Sequence, residues 1–398
     1  MRIAVFTDTY LPTVDGVVTS LLTTKRELER LGHEVVVFAP QVPGNGCGRE
    51  RDVIWVRARE FRHYPGYRLA MFPGREVEVL KGLKVDLVHS HGIGFMGLKG
   101  MWAAWQCKRP LALTFHTMVM DAMTYYTPFR LDLDLLARGL RLYLRVFLHK
   151  CSAVVVPSFA ILKELEGFAP RMRLTDVIPT GVDTARFRPD IDGAWVRQRH
   201  GLDGAEVILH VGRIAYEKDL NVLASAFARL KTWRPKAKLL LVGRGPYEPG
   251  LRALVRKKGI AEDVIFAGFV PDDELPSYYA ASDAFAITSR FETQGLAVLE
   301  AMASGRAVAG VNYRAIPEFV RDGRNGFLFP PKDAKGAAAA IDLCLDDRTR
   351  LGRGARETAE GYTVESTTRR LLRVYETLVN GRASVGIAPA ASVPSGST

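Results

Sequence analysis

Two successive rounds of alternating strand-like and helix-like segments constrain the fold of this chain more than any other feature. The first round begins with the apolar run RIAVFTD at residues 2–8 and continues with the helix-like stretch VVTSLLTTKRELERLG at 17–32. A second apolar run, HEVVVFAP, follows at 33–40. Apolar runs that alternate with helices are typical of parallel strands buried on both faces. The sequence therefore predicts an α/β fold built from βαβ units.

The alternation restarts after the segment VIPTGVDTARFRP at residues 177–189, where strand-like runs such as EVILHVGR appear again. A chain of 398 residues is also long for a single hydrophobic core. We therefore expect two doubly wound, Rossmann-like domains, at residues 1–190 and 191–358. Sheets of this kind bind ligands beyond the carboxyl ends of their strands, so we expect the site in a deep cleft between the domains.

The end of the chain differs in character from these two rounds. Residues 359–380 include the stretch TVESTTRRLLRVYETLVN, whose apolar residues recur with the period of an amphipathic helix. Residues 381–398 are rich in Ala, Ser, Pro and Gly, a composition that predicts a disordered tail.

Composition excludes several classes of protein. No run of about 18 apolar residues is present, so we expect no membrane-spanning helix, and the N-terminus has the pattern of a first strand rather than of a signal peptide. The four cysteines have no CxxC spacing, which disfavours a zinc site or a disulfide framework and fits a reducing cytoplasm. The net charge of +12 is spread along the chain, which disfavours nucleic-acid binding and favours an anionic membrane surface or a phosphate-bearing substrate.

The stretch FETQGLAVLE at residues 291–300 holds two carboxylates, Glu292 and Glu300, on either side of Gly295. The pattern places Glu292 in a loop and Glu300 in the second turn of the following helix, so both side chains can reach one ligand at the helix N-terminus. Gly295 leaves room there for a phosphate to approach backbone N–H groups. Two other interpretations stay open: an acid/base pair that cleaves a glycosidic bond, and two unrelated surface glutamates.

Four further residues follow strand-like runs and therefore belong at the same edge of a sheet. Arg213 and Lys218 come directly after EVILHV, where two cations could neutralise a diphosphate, although a solvated loop pair has the same pattern. Gly16 lies in the loop after the first strand, where an ordinary turn is the alternative. His116 ends the strand-like TFH run and faces the cleft, unless it is a buried structural histidine.

A pair of histidines in the segment VHSHG, His89 and His91, has a spacing that also occurs in metal sites. No third ligand cluster accompanies them, so we favour a structural or acceptor-side role and predict no metal.

Two basic stretches suggest a surface for a partner. Residues 57–75 carry five arginines and one acidic residue among several aromatics. In the helix-like stretch at residues 131–150, a narrow basic stripe lies beside a wide apolar face and consists of Arg138, Arg141, Arg145 and His149. Such a helix can lie in a membrane interface, or it can pack against the protein and expose its basic stripe to water.

These motifs, taken in order, resemble those of the retaining glycosyltransferases of the GT-B fold. The resemblance covers roughly residues 1–378. The sequence of the segment ETQGLAVLEAMASG is particularly similar to the corresponding segment of the diacylglycerol glucosyltransferases. It implies a GT-B fold in which residues 1–190 bind the acceptor, residues 191–358 bind the nucleotide sugar, and the helix at 359–380 crosses back to the first domain.

The resemblance also implies a role for each candidate residue. Arg213 and Lys218 would contact the donor diphosphate, Glu300 the ribose hydroxyls, and Glu292 the donor sugar. His116 would lie beside the transferred sugar, and Gly16 would lie at the phosphate. Val270 would contact the base through its backbone, and the N–H groups near Gln294, Gly295 and Leu296 would assist in binding the donor.

The implied activity is retaining, metal-independent transfer of a hexose without a cofactor, from a nucleotide-diphosphate sugar, with UDP-glucose expected. The expected acceptor is a membrane lipid such as diacylglycerol, and the expected location is peripheral on the cytoplasmic face of the cell membrane. Transfer of mannose or another hexose to phosphatidylinositol, a glycolipid or a soluble sugar stays open. So do a glycoside hydrolase, a GT-B epimerase and a non-catalytic membrane-surface or nucleotide-binding protein.

Overall fold

The computed structural model of the chain describes residues 1–13, 15–42, 52–60, 68–72, 74–116 and 133–381, without the side chains of 133–136. The predicted disordered tail therefore lies outside the described residues, apart from its first residue, Gly381.

The first half of the chain forms a parallel sheet with the strand order β3-β2-β1-β6-β7-β8-β9. Helices cover both of its faces, and every residue of β6, β7 and β8 is buried, which explains the unbroken apolar sequence of β8 and the apolar starts of β6 and β7. A short antiparallel pair, β4 with β5, lies outside this sheet. The strands are β1 (Arg2–Phe6), β2 (Glu34–Pro40), β3 (Val53–Val56), β4 (Arg59–Glu60), β5 (Arg68–Leu69), β6 (Leu87–Ser90), β7 (Leu111–Thr114), β8 (Ala153–Val156) and β9 (Thr175–Val177).

The second half forms another parallel sheet with the order β12-β11-β10-β13-β14-β15. The strand order reverses direction beside β10, and it does so beside β1 in the first sheet, as expected of doubly wound folds. The two sheets confirm the predicted α/β architecture. The strands are β10 (Glu206–Val211), β11 (Ala237–Val242), β12 (Val264–Gly268), β13 (Ala284–Ile287), β14 (Ala307–Val311) and β15 (Gly326–Phe329).

Helices connect the parallel strands and pack their apolar faces on the two sheets. In the first half, the described helices are α1 (Gly16–Arg30), α2 (Glu76–Leu83), α3 (Phe95–Gln106), α4 (Leu133–Lys150) and α5 (Phe159–Phe168). In the second half, they are α6 (Ala194–His200), α7 (Leu220–Leu230), α8 (Glu248–Lys257), α9 (Leu275–Ala280), α10 (Leu296–Ala303), α11 (Ile316–Phe319), α12 (Ala334–Asp346), α13 (Arg348–Glu360) and α14 (Val364–Val379). Among the described residues, no helix is both long and apolar enough to cross a membrane.

The last helix, α14, returns to the first sheet, as the resemblance implied. Two backbone hydrogen bonds guide the crossing, from the Val182 N–H to the Tyr362 carbonyl (2.9 Å) and from the Val364 N–H to the Val182 carbonyl (3.3 Å). Beyond that point, Val374 and Tyr375 are fully buried among side chains from the first sheet. The second half of the chain is therefore connected to the first at both ends, by the segment after β9 and by α14.

Candidate active site

The loop before α10 forms hydrogen bonds with the first half of the chain. The Gln294 side-chain amide accepts a hydrogen bond from the Thr180 N–H (2.7 Å) and donates one to the Thr180 carbonyl (2.8 Å). The preceding residue, Thr293, donates to the His116 carbonyl (2.9 Å), and its own carbonyl accepts from the Ser158 hydroxyl (2.8 Å). These four bonds place the predicted donor residues directly beside the carboxyl end of the first sheet.

At the centre of this region, Glu292 and Lys218 form an ion pair, with 2.6 Å between Oε1 and Nζ. Both side chains are largely buried, and the Thr288 hydroxyl donates to the Lys218 carbonyl (3.1 Å), which secures the backbone after β10. Burial raises the pKa of the Glu292 carboxyl, but the Lys218 ammonium and a hydrogen bond from Ser289 outweigh it and hold the pKa below its usual value. Glu292 is therefore ionised at neutral pH.

Arg213 lies five residues before Lys218, and its guanidinium pairs with Glu217. The Glu217 side chain is only 3% exposed, whereas that of Arg213 is 41% exposed. The buried Glu217 carboxylate thus holds the Arg213 guanidinium, part of which is still exposed to solvent. The sequence analysis did not identify Glu217, although its spacing of four residues from Arg213 could have indicated the pair.

Two glycines explain how the loop that carries Arg213 packs so closely against its neighbour. A Cβ at Gly243 would lie 2.0 Å from the Gly212 carbonyl oxygen, and one at Gly245 would lie 2.2 Å from that of Ile214. The Ile214 N–H donates to the Arg244 carbonyl (3.0 Å) across the same contact. The glycines of the LVGRGP segment therefore permit backbone packing between two loops, which positions Arg213.

Gly295 begins the helix that carries Glu300. Its backbone is left-handed, with φ 84° and ψ 59°, and a Cβ there would lie 2.9 Å from Ile316 Cδ1. Helix α10 starts at the next residue, Leu296, so its first backbone N–H groups are without intrahelical partners. This arrangement gives the carboxyl edge of the second sheet an anion-binding helix end beside Glu292.

Glu300 has an environment opposite to that of Glu292. The hydroxyl of the buried Tyr279 donates to its Oε2 (2.7 Å). Burial nevertheless raises the pKa of Glu300 to about 7, with a contribution from the charge of Asp272, while Tyr279 and Arg186 act in the opposite direction. Both carboxyls are buried, so the interpretation of the pair as exposed surface glutamates is wrong, while a shared ligand for the two stays a prediction.

His116 is half-buried at the end of β7 and contacts a second histidine. Its Nε2 lies 3.0 Å from His91 Nδ1, and the two rings stack with centroids 5.1 Å apart. Burial lowers the pKa of His116 to about 4, so its ring is neutral at physiological pH. His89 is bonded at both ring nitrogens, to Tyr375 and Thr114, as the structural interpretation of this residue expects. Among the described residues, no group of three or more His, Cys, Asp or Glu side chains is arranged to hold a metal ion.

The two remaining candidates lie at the edges of the site. Gly16 is the first residue of α1, capped by Asp15, whose carboxylate accepts from the Val18 N–H (2.9 Å), and a Cβ at Gly16 would meet no atom within 4 Å. Burial raises the pKa of Asp15, and the positive charge of Arg213 opposes that increase. Because this effect requires the two side chains to be near each other, the start of α1 faces Arg213 across the cleft. Val270 follows β12 and is 8% exposed.

Two roles in the site were not recognisable in the sequence. Tyr279 orients Glu300 from 21 residues upstream, and no periodic pattern connects the two. The side chain of Gln294 bonds to the backbone of Thr180, which leaves the backbone of Gln294 for a ligand. Both roles depend on contacts between segments that are distant in the sequence.

Comparisons with known proteins place these observations in a family. Residues 195–359 match the family model described as glycosyl transferases group 1, and residues 14–186 match that of glycosyltransferase family 4. The chain is 33% identical to the alpha-monoglucosyldiacylglycerol synthase of Streptococcus pneumoniae, over 83% of this chain and 75% of that protein. It is 31% identical to the enzyme of the same name from Acholeplasma laidlawii, over 83% and 85%. The structure of Anabaena HepE with UDP and glucose has a TM-score of 0.76 at 22% identity, over 95% of this chain and all of that one.

We predict that replacing Lys218 by Met lowers the free energy of unfolding at pH 7 by about 3 kcal/mol, because it leaves the Glu292 carboxylate buried without a partner. Without the ammonium, burial raises the pKa of Glu292, so the deficit should shrink as the pH falls and the carboxyl takes up a proton. Urea unfolding of both proteins at pH 7 and at about pH 5 measures this change.

The matched control is the double variant Lys218→Met/Glu292→Gln, which removes the buried charge as well. Its destabilisation at pH 7 should be smaller than the sum of the two single effects. Equal deficits of Lys218→Met at the two pH values would show that the ion pair does not determine the charge of Glu292.

Proposed function

This chain belongs to the glycosyl transferases group 1 family, a family of nucleotide-sugar hexosyltransferases, and we propose that it moves glucose from UDP-glucose to diacylglycerol with retention of configuration. The observation that carries the proposal is the cluster at the carboxyl edge of the second sheet. There, two cations, a helix N-terminus and two glutamates in opposite environments surround one region. The acceptor is taken from the names of the two relatives that make monoglucosyldiacylglycerol.

In this proposal, Arg213 and Lys218 bind the donor diphosphate. The Lys218 ammonium has three N–H groups, so it can keep its bond to Glu292 while it donates to a phosphate oxygen. The Arg213 guanidinium, held by Glu217 and 41% exposed, can donate to a second phosphate oxygen. When the bond between sugar and diphosphate breaks, negative charge grows on the leaving oxygen, and fixed cations stabilise it.

The positive end of α10 adds to this stabilisation without a side chain. Backbone N–H groups at Gly295 and Leu296 approach the same region, and Gly16 leaves space for the phosphates at the facing end of α1. Side chains and helix ends thus supply the positive charge, so the proposal requires neither a metal ion nor another cofactor.

The remaining site residues contact the ribose, the sugar and the base of the donor. Glu300, once ionised, accepts hydrogen bonds from both ribose hydroxyls, while Tyr279 holds its other side. Glu292 accepts hydrogen bonds from the sugar hydroxyls, and the backbone N–H groups near Gln294 donate to them. His116 lies on the opposite side of the sugar. Val270 contacts the base through its backbone, which lies where β12 ends.

An enzyme that acts on a membrane lipid needs a surface that binds the membrane, and the exposed face of α4 has suitable residues. Leu144, Phe147 and Leu148 are buried against the protein, so the helix packs by one face. The opposite face exposes Leu142 (64%) and Val146 (51%) within a stripe of arginines. Those exposed arginines are Arg138, Arg141 and Arg145. The other basic stretch, residues 57–75, lies partly outside the described residues.

Basic residues around exposed apolar ones match the chemistry of an anionic bilayer surface, whose cytoplasmic leaflet carries the negative lipids. We therefore propose that the protein attaches peripherally to the cytoplasmic face of the membrane through this face of α4. The lipid acceptor would then reach the cleft from the first half of the chain.

A glycoside hydrolase is the second candidate, because two carboxyl groups with pKa values shifted in opposite directions are also typical of acid/base pairs. Against it, the Glu292 carboxylate is neutralised by Lys218, which weakens it as a nucleophile. A hydrolase would release sugar from a glycoside without any nucleotide, and a transferase would not.

The direct test is transfer of labelled glucose from UDP-glucose to vesicles that contain diacylglycerol, in the presence of a metal chelator. We expect glucosyl-diacylglycerol from the native protein and a loss of roughly 100-fold to 1000-fold in kcat for Arg213→Gln, by analogy with removal of one donor to a developing oxyanion. The control Arg350→Gln removes another partly exposed arginine that pairs with a nearby carboxylate, on α13, and should leave the rate unchanged. Glucose transfer to soluble sugars alone would refute the lipid acceptor.

The pKa of Glu300 generates a second prediction. The carboxyl must be ionised to accept two ribose hydroxyls, so affinity for UDP-glucose should rise as the pH increases through about 7. Titration calorimetry from about pH 5.5 to about pH 8.5 measures this, since the phosphates of a nucleotide sugar do not titrate in that range. Glu300→Gln should bind more weakly at high pH and show no such rise, whereas the exposed control Glu360→Gln should keep it. A native affinity that does not change with pH would exclude Glu300 from ribose binding.

The membrane proposal is tested with vesicles of phosphatidylcholine with and without phosphatidylglycerol. Replacing Arg138, Arg141 and Arg145 by Gln should weaken binding to the anionic vesicles roughly 100-fold, from about 1 kcal/mol per basic residue at the surface. The matched control replaces three exposed arginines of α13, Arg348, Arg350 and Arg353, by Gln. Equal losses in the two triple variants would show that α4 is not the attachment surface.

A further inference from the structure

A buried chain of hydrogen bonds begins on the C-terminal helix and leads toward the cleft. The Tyr375 hydroxyl on α14 lies 2.6 Å from His89 Nδ1, and His89 Nε2 lies 2.8 Å from the Thr114 hydroxyl. Tyr375 and His89 are almost completely inaccessible to solvent, and Thr114 is 8% exposed. This connection links the last helix of the chain to the end of β7, the strand that His116 follows.

The direction of these two bonds follows from the hydrogens available. In the part of the chain that the structure describes, His89 is the hydrogen-bond partner recorded for the Tyr375 hydroxyl. A buried hydroxyl hydrogen without an acceptor costs about 1–3 kcal/mol, so Tyr375 donates and His89 Nδ1 accepts. Burial lowers the pKa of His89 to about 3, so the ring is neutral and carries its single hydrogen on Nε2. His89 then donates to Thr114, whose own hydrogen must point elsewhere.

A second pair, His91 with His116, has two possible arrangements. Nδ1 of His91 and Nε2 of His116 are 3.0 Å apart, and both rings are neutral because burial depresses both pKa values. Two hydrogens between these nitrogens would clash and two lone pairs would repel, so one hydrogen lies between them. If His91 supplies it, His116 carries its hydrogen on Nδ1; if His116 supplies it, Nδ1 of His116 is an acceptor.

A small cavity connects the two pairs. Its volume is about 30 Å³, and both Thr114 and His91 line it. Further hydroxyl groups surround it, from Ser20, Thr24, Thr367 and Thr368. Apolar side chains complete the lining, and the space is large enough for one water molecule within reach of several hydrogen-bonding groups.

We propose that a water in this cavity accepts from Thr114 and donates to His91 Nε2, so that Tyr375 fixes His116 as a hydrogen-bond donor through its Nδ1. The full relay runs from the Tyr375 hydroxyl through His89, Thr114, the water and His91 to His116. Tyr375, His89 and His91 are positioning residues in this scheme, since only His116 faces the sugar. This inference rests on the proposed function for the identity of the ligand, but the direction of the relay does not.

The consequence for the donor sugar is specific. A neutral N–H donor beside the sugar binds a hydroxyl oxygen without adding charge near the reacting carbon. The opposite tautomer would offer a lone pair, so His116 would accept a hydrogen bond from the hydroxyl instead of donating one to it. The C-terminal helix would thus influence donor binding through the orientation of a hydrogen.

The test is nuclear magnetic resonance of the full chain labelled with ¹⁵N-histidine. Long-range ¹H–¹⁵N correlation separates imidazoles that carry the hydrogen on Nδ1 from those that carry it on Nε2. The His116 signals are assigned from the spectrum of His116→Gln. We expect the Nδ1–H form of His116 in the native protein and a mixture of both forms in Tyr375→Phe. An Nε2–H form in the native protein would overturn the proposal, whether or not any variant folds.

The matched control is Tyr278→Phe, which removes a hydroxyl from another tyrosine–histidine pair, 3.1 Å from His200 Nε2, outside the relay. It should leave the His116 tautomer unchanged, and an equal change in both variants would overturn the proposal. His91→Asn provides a second variant, in which His116 should also become a mixture.

Kinetics then separate this inference from the proposed function. Tyr375→Phe should lower kcat for glucose transfer roughly threefold to tenfold, the effect of weakening one hydrogen bond. An unchanged kcat despite an altered tautomer would overturn the relay's role in the reaction. A native protein with the Nδ1–H form but without transferase activity would refute the proposed function alone. An active protein with the Nε2–H form would refute the relay alone.

Discussion

The paired hydrogen bonds between the Gln294 side chain and the Thr180 backbone are the contact on which the geometry of the site depends. The amide of Gln294 replaces a backbone partner for both the N–H and the carbonyl of Thr180. These backbone groups lie in the segment that links the two sheets, and leaving them buried without partners would be costly. Because Gln294 stands between Glu292 and Gly295, this pairing also fixes the loop that carries the proposed donor site. The neighbouring bond from Thr293 to His116 ties the same loop to the first sheet.

The electrostatics of the site follow from how that loop is held. Glu292 pairs with Lys218, which holds its pKa below the usual value, whereas burial beside a tyrosine raises the pKa of Glu300, one helical turn into α10, to about 7. Two residues of the same type therefore have pKa values shifted in opposite directions within nine residues of sequence. In the proposed donor site this difference would be useful, because Glu292 would stay charged near the sugar while the charge of Glu300 would respond to the bound ribose.

Much of the fold could be predicted from the sequence, because its determinants are local or periodic. Unbroken apolar runs such as the one at β8 identify buried parallel strands, and the restart after residue 189 identifies a second sheet. The candidate residues Arg213, Lys218, Glu292 and Glu300 could be found because each follows a strand or opens a helix, where parallel sheets bind ligands. The pairing of Lys218 with Glu292 could not, since the two are 74 residues apart and either alone has the pattern of a surface charge.

The sequence by itself determined the class of fold, the family of the chain and the set of residues at the carboxyl edge of the second sheet. Those features depend on the hydrophobic period, on the positions of glycines and on the order of motifs, and each of these can be recognised within a single short segment of sequence. Only the tertiary structure decided the partners that are distant in the sequence: Tyr279 for Glu300, Thr180 for Gln294, Lys218 for Glu292, and Tyr375 for His89. Charge state and hydrogen-bond direction depend on burial and on which distant groups meet, and these are set only when both sheets and the returning helix have packed together.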